Sequence, residues 1–315
     1  MKISSTGYFI LAVIFFAITG CQSKINFETG SKFIPVNADS ISFAIIGDFG
    51  YYGNPEKKVA DMVKNWDPDF IITTGDNSYT HYTNKTYAEN VGGYYCDFIY
   101  NPDAPEQMQC DGKAAKEKRN MFFPVPGNHD YELRGLLGYL QYFTLPGAEV
   151  NYDFKWGPVH FFAINSGENG SIYHRDSEVA QWLRESLKKS TKQWKIVYFH
   201  HSPFSPSHHG NNSVMQWPFE QWGASMVITG HDHVYSRISK KDNPDFYYII
   251  NGVGGSPHFY SCDANLLDKN IFTSICYNIS HGAIIATATE DNMVLKFYSV
   301  KDKNVAVDSI MVLKN

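Results

Sequence analysis

The sequence predicts an α/β fold in which parallel strands and a helix alternate early and antiparallel strands follow. Three observations carry that expectation. Between Ser42 and Thr73 an apolar run, an amphipathic stretch and a second apolar run succeed one another, the pattern of a strand–helix–strand crossover. Five separate apolar runs end in short turns rich in Gly, Asp, Asn and His. After Tyr235, runs near 246–251, 283–289, 292–300 and 305–313 read as an antiparallel set.

At 315 residues, 43% hydrophobic and 16% aromatic, the chain can bury a large core. Its formal charge of −5, without a basic block, argues against nucleic-acid recognition. Residues 1–20 differ in kind. Lys2 precedes an apolar run from Tyr8 to Ile18, too short to span a bilayer comfortably and shaped like an export signal. The ending Ile18-Thr19-Gly20-Cys21 resembles the lipobox of bacterial lipoproteins. That resemblance implies cleavage before Cys21 and a lipid on Cys21. Gln22, in place of Asp, points to the outer membrane, facing the periplasm or the cell surface. A plain secretory signal with an incidental cysteine is the alternative. Residues 21–40 read as a tether and 41–315 as one domain without internal repeats, touching the membrane only through Cys21. Four more cysteines, Cys96, Cys110, Cys262 and Cys276, form an even set that reads as disulfides in an exported chain. Three pairings are open; the local one, Cys96–Cys110 with Cys262–Cys276, closes two short loops without crossing the core.

The first strand is Ser42–Ile46, followed by Gly47-Asp48-Phe49-Gly50. Asn54-Pro55 predicts a helix N-cap and Pro at the first helical position. Val59, Met62, Val63 and Trp66 then repeat at the spacing of one buried helical face. Asp69–Thr73 is a second strand, leading to Gly75-Asp76-Asn77-Ser78-Tyr79. Residues 80–111, rich in Tyr, Asn, Gly and Pro, read as a long surface excursion. Phe122–Pro126 is a short strand before Gly127-Asn128-His129-Asp130, and Asn151–Ser166 a hairpin bent at Gly157-Pro158. Asp176–Ser190 is a helix turning Val179, Trp182, Leu183 and Leu187 inward. Lys195–Phe199 is a strand ending in His200-His201, and Ser202–Asn212 a loop. Met226–Thr229 is a buried strand ending in Gly230-His231-Asp232-His233.

Five strand ends thus carry Asp48, Asp76 with Tyr79, Asn128 with His129, His200 with His201, and His231 with His233. Strand ends are where open α/β folds build their clefts. Carboxylates, imidazoles, an amide oxygen and a phenol together suit one harder and one borderline metal ion. Most of the 12 histidines lie in or beside these segments, which decides against scattered structural use.

The ordered set of these five turns resembles the metallophosphoesterase (calcineurin-like) superfamily. Tyr79, three residues after Asp76, is similar to the mark of the purple acid phosphatases, and the length suits their small, tartrate-resistant type. The resemblance implies a layered αββα sandwich of two mixed sheets flanked by helices, with the metal site at the strand C-terminal ends. It also implies two metal ions. Asp48, Tyr79, His233 and Asp76 would hold iron(III). Asn128, His200, His231 and the bridging Asp76 would hold a divalent ion (iron, zinc or manganese). His129 and His209 match positions that assist leaving-group protonation, and His201 would lie beside the ligands. The implied activity is acid hydrolysis of small phosphate monoesters by a monomer. A phosphodiesterase, or a nucleotide or lipid phosphatase, would use the same core. A lipoprotein that retains metals without turnover is the reading from a different class.

Overall fold

The two apolar runs that flank the first helix do pair. In the computed structural model, which describes residues 36–79, 85–132, 135–147 and 149–314, β1 (Ser40–Ile46) lies parallel to β2 (Phe70–Thr73), with Ile45 opposite Ile72. The expected export signal, the lipid-bearing Cys21 and most of the tether lie outside the described residues. Helix α1 (Asn54–Asn65) crosses between the strands. Its cap is Gly53 rather than Asn54, and Pro55 sits in the first turn, where a missing N–H costs no helical bond. Asp69 does not enter the strand. Its Oδ2 accepts the Ser42 N–H at 2.8 Å and ties the two strand entrances together.

Among the described residues the remaining strands are β3 (Phe122–Pro124), β4 (Tyr152–Trp156), β5 (Val159–Ala163), β6 (Trp194–Tyr198), β7 (Met226–Thr229), β8 (Tyr235–Lys240), β9 (Asn243–Asn251), β10 (Ile271–Tyr277), β11 (Gly282–Thr289), β12 (Asn292–Ser299) and β13 (Asp308–Leu313). They form a six-stranded sheet, β13-β12-β11-β1-β2-β3, and a seven-stranded sheet, β10-β8-β9-β7-β6-β5-β4. Both are mixed: β1, β2 and β3 run parallel in the first, and β5, β6, β7 and β9 in the second. The sheets face each other through aromatic rings. Phe161 meets Phe43 edge-on at 5.1 Å and Phe70 at 5.3 Å. Helix α1 covers the first sheet. Helix α2 (Glu178–Lys189), capped by Ser177 Oγ accepting from Ala180 N–H at 3.2 Å, packs Val179, Leu183 and Leu187 on the second. Trp182 is half-buried at the helix edge. This is the expected αββα sandwich of two mixed sheets flanked by helices.

Three expectations need correction. β9 does not join the C-terminal antiparallel set; it pairs in parallel with β7, in the other sheet. β8 and β10 were not expected at all. Both carry polar residues through the run, and β10 is an edge strand that has no need to be uniformly apolar. The described part of 80–111 is not a surface excursion. Tyr87, Val91, Tyr95 and Phe98 are buried, and the Tyr95 ring meets Phe49 edge-on at 5.5 Å. Turn-rich composition concealed short helical segments, including a π-helical turn at Ala88–Gly92. The local disulfide pairing is the one formed: Cys96–Cys110 and Cys262–Cys276.

Candidate metal centre

The loops after β1, β2, β3, β6 and β7 converge at one edge of the seam between the sheets. Asp48 (φ 53°), Asp76 (φ 51°) and His231 (φ 72°) all adopt the left-handed backbone that non-glycine residues avoid. Such strain gathers at functional sites when surrounding structure imposes it. Here the loops impose it on one another. Asp48 N–H donates to Gly75 O at 3.0 Å, Tyr79 N–H to Gly50 O at 2.9 Å, and Gly230 N–H to His200 O at 3.0 Å. The glycines permit the approach. A Cβ on Gly127 would lie 2.2 Å from Asp76 Oδ1, and one on Gly230 would lie 2.4 Å from Asp48 Oδ2.

Two donor groups result. In the first, one ligand atom each from Asp48, Asp76 and His233 lies within 4.8 Å of the others. Tyr79 Oη stands 3.4 Å from His233 Nε2, and His233 Nε2 is 3.6 Å from Asp48 Oδ1. In the second, His200, His201 and His231 meet the same limit. His200 Nε2 is 2.9 Å from Asn128 Oδ1, 3.1 Å from His231 Nδ1 and 3.4 Å from Asp76 Oδ1. Asp76 therefore belongs to the first group and reaches the second. Carbonyls set the tautomers: His200 Nδ1–H donates to Thr74 O at 2.8 Å and His233 Nδ1–H to His258 O at 3.0 Å, so each Nε2 presents a lone pair to the centre.

The electrostatics fit a pair of cations. Burial pushes His200 and His233 down to about 3 and His201 to about 2, and holds His231 well below its ordinary range, so the imidazoles are neutral donors. Burial, reinforced by the Asp76 charge, pushes the Asp48 carboxyl well up, and burial also raises Asp76. Tyr79 is held far above its usual value by burial and by the two carboxylates, so a phenolate there needs a cation of its own. Converging lone pairs and buried acids are costly without positive charge between them.

His129 lies at the lip of the centre. Its Nδ1 is hydrogen-bonded to Glu132, its Nε2 is 3.9 Å from Asp76 Oδ2, and its ring lies 4.3 Å from that of Tyr79. His209 is exposed and stacks on His231 at 3.9 Å. His201 is placed nearer the second group than expected, with Nδ1 bound to Ser166 Oγ at 2.7 Å. A cleft of about 590 Å³ opens above, lined among others by Asn128, His129, Glu168, His201, His209 and His231.

Sequence reading missed two buried carboxylates inside the motifs themselves. Asp130 Oδ2 accepts from Gly127 N–H (2.7 Å), Asn77 N–H (3.2 Å) and Asn77 Nδ2 (2.9 Å), and Oδ1 accepts from Tyr87 Oη at 2.6 Å. Asp232 Oδ1 accepts from His209 N–H at 2.9 Å, and Oδ2 from Ser205 Oγ at 2.5 Å. Their positions within the β3 and β7 turns were the available signal.

Residues 41–235 match the model of the calcineurin-like phosphoesterases. The chain belongs to that family. Among its curated relatives is purple acid phosphatase 17 of Arabidopsis thaliana, 26% identical over 298 residues, 84% of this chain and 83% of that protein. Purple acid phosphatase 3 of the same plant is 23% identical over 300 residues, 83% of this chain and 75% of that protein. Among solved structures, a purple acid phosphatase from yellow lupin (Lupinus luteus) seeds superposes with a TM-score of 0.65 at 14% identity, covering 89% of this chain and 55% of the lupin chain. GAP50, the anchor in the inner membrane complex of Plasmodium, superposes at 0.61 and 16% identity, covering 88% and 90%. These superpositions bear on the fold. As a calcineurin-like phosphoesterase the chain is a phosphoesterase with a metal-binding centre, and the donor groups above are residues that could hold metal ions.

Proposed function

We propose that this phosphoesterase is a dimetal acid phosphatase acting on small phosphate monoesters. In this reading iron(III) would be held by Asp48, Asp76, Tyr79 and His233, and a divalent ion (iron, zinc or manganese) by Asp76, Asn128, His200 and His231. The observation that carries it is the place of Asp76, in one donor group and 3.4 Å from the His200 Nε2 of the other. A bound metal pair supplies charge to clamp a phosphoryl group and to acidify a water. The chain's own residues do the rest. Buried Asp48 and Asp76 sit between loops tied to one another by backbone hydrogen bonds, which sets the donor geometry before substrate arrives. Glu132 accepts from His129 Nδ1–H and thereby turns Nε2 toward the cleft, where it can give a proton to the leaving oxygen. His209, which also lines the cleft, can do the same.

The test is metal analysis of the purified protein beside its pH–rate profile on an aryl phosphate and its visible spectrum. Two metals per chain, hydrolysis on the acid side and a charge-transfer band that disappears in Tyr79→Phe are expected. Full metal occupancy with no phosphoester hydrolysed from about pH 4 to 9 would instead mean a protein that only retains metals. The reading includes export and a lipid on Cys21, supported by the lipobox-like Ile18–Cys21. Mass spectrometry of the mature N-terminus checks it, and an unlipidated Cys21 would end it. No helix of the described residues is long and apolar enough to cross a membrane.

A further inference from the structure

His209 is a candidate proton donor, exposed at the end of the buried stretch 202–207, and its loop is held from two sides. Beneath it, Asp232 takes the His209 N–H and the Ser205 hydroxyl. Above it runs the irregular segment 256–263. Asp263 N–H donates to Pro206 O at 2.6 Å, and Ser207 Oγ donates to Ser261 O at 3.0 Å. Between these bonds Tyr260 stacks on His233 at 4.7 Å and 10°, lies 4.8 Å from His208 and meets His209 edge-on at 5.4 Å. Residues 257–263 are exposed or half-buried, so burial alone does not hold them. What fixes them covalently is Cys262, between Ser261 and Asp263, joined to Cys276 on β10.

We propose that Tyr260 and the Cys262–Cys276 disulfide form a strap that positions His209 for proton delivery to the leaving group. The proposal rests on the reading of His209 as a proton donor. Its physical basis is that a group misplaced by about 1 Å can lose on the order of 10²-fold in rate, while a loop that frays exposes its amides. Neither Tyr260 nor the disulfide lines the cleft itself, and His129 is carried by a different loop, the one after β3, so loss of the strap leaves the other donor in place.

The experiment compares metal-loaded wild type, Cys262→Ser/Cys276→Ser, Tyr260→Ala, Tyr260→Phe and His209→Ala on an alkyl phosphate and on an aryl phosphate with a good leaving group. Amide hydrogen exchange of residues 203–211 and metal content are read in parallel. The double-serine and Tyr260→Ala variants are expected to exchange faster in 203–211. They should also lose about 10- to 100-fold in kcat on the alkyl ester, with KM little changed, and less than about threefold on the aryl ester. Tyr260→Phe should restore the ratio, because the ring makes the contacts. Cys96→Ser/Cys110→Ser should leave the ratio unchanged. Should the double-serine protein fail to fold, the Tyr260 pair decides alone. Unchanged exchange, equal losses on both esters, or loss of metal overturns the strap. Equal losses in His209→Ala overturn the donor reading first. A selective loss in His209→Ala without one in the strap variants overturns the strap alone.

Discussion

His129 and Asp130 are neighbours with opposite tasks, and their substitutions should separate. His129→Ala removes a side chain at the lip of the centre and none of the donor groups. It is expected to keep both metals and lower turnover on the order of 10²–10⁴-fold, most on substrates with poor leaving groups. Metal content and a leaving-group series check this; a uniform loss would point to a role in binding. Asp130→Asn should do the reverse. Four donors converge on that carboxylate, and an amide would turn an N–H toward at least one of them. A loss of about 1–3 kcal/mol in stability and weaker metal retention are expected, read by thermal unfolding and metal titration. At this scale the sequence was most legible where a glycine precedes the functional residue, because close packing of the loops demands both. Asp130 and Asp232 escaped notice although they sit in the same motifs. Nothing in a linear motif says that His129 faces the cleft while its neighbour turns back into the loops.

Helix α1 carries an acid where its amphipathic pattern gives no reason to expect burial. Glu56 is fully buried, with Oε2 accepting Tyr52 N–H at 2.8 Å and Oε1 without a hydrogen-bond partner among the described residues. Burial pushes its carboxyl well above the ordinary 4.5, the Tyr52 bond opposing only in part. The native state thus keeps a proton that the unfolded chain releases above that value. The stabilisation is complete below it and is lost as pH rises through the raised native value. Glu56→Gln retains the acceptor for Tyr52 and carries no charge. It should match wild type near pH 4 and become more stable, by on the order of 1–2 kcal/mol, as the pH is raised. Parallel thermal melts across that range decide it. Elements with a clean period, such as α1, α2 and the parallel strands, were legible because one face or both faces are buried. The 85–111 segment was not, since its buried residues follow no single period and its helical turns are short and irregular.

At the scale of the molecule, the aromatic seam between the sheets and the metal centre should act together. Phe70 packs against Phe43, Trp156 and Phe161, and Phe70→Ala is expected to cost about 3–5 kcal/mol. Chelation should lower the melting temperature as well, since an ion held at 100 times its dissociation constant contributes about 2.7 kcal/mol. Calorimetry with and without chelator measures that term. The allocation of donors between the sheets has one more consequence. Asp48, Asp76 and Asn128 arrive on the six-stranded sheet, whereas His200, His231 and His233 arrive on the seven-stranded sheet. A newly made chain therefore cannot assemble the group of Asp48, Asp76 and His233 until its halves have closed on each other. Metal capture in that group becomes a late event in maturation, and if the ion it takes is the proposed iron(III) on Tyr79, the onset of colour in a refolding mixture would serve as a clock for that closure.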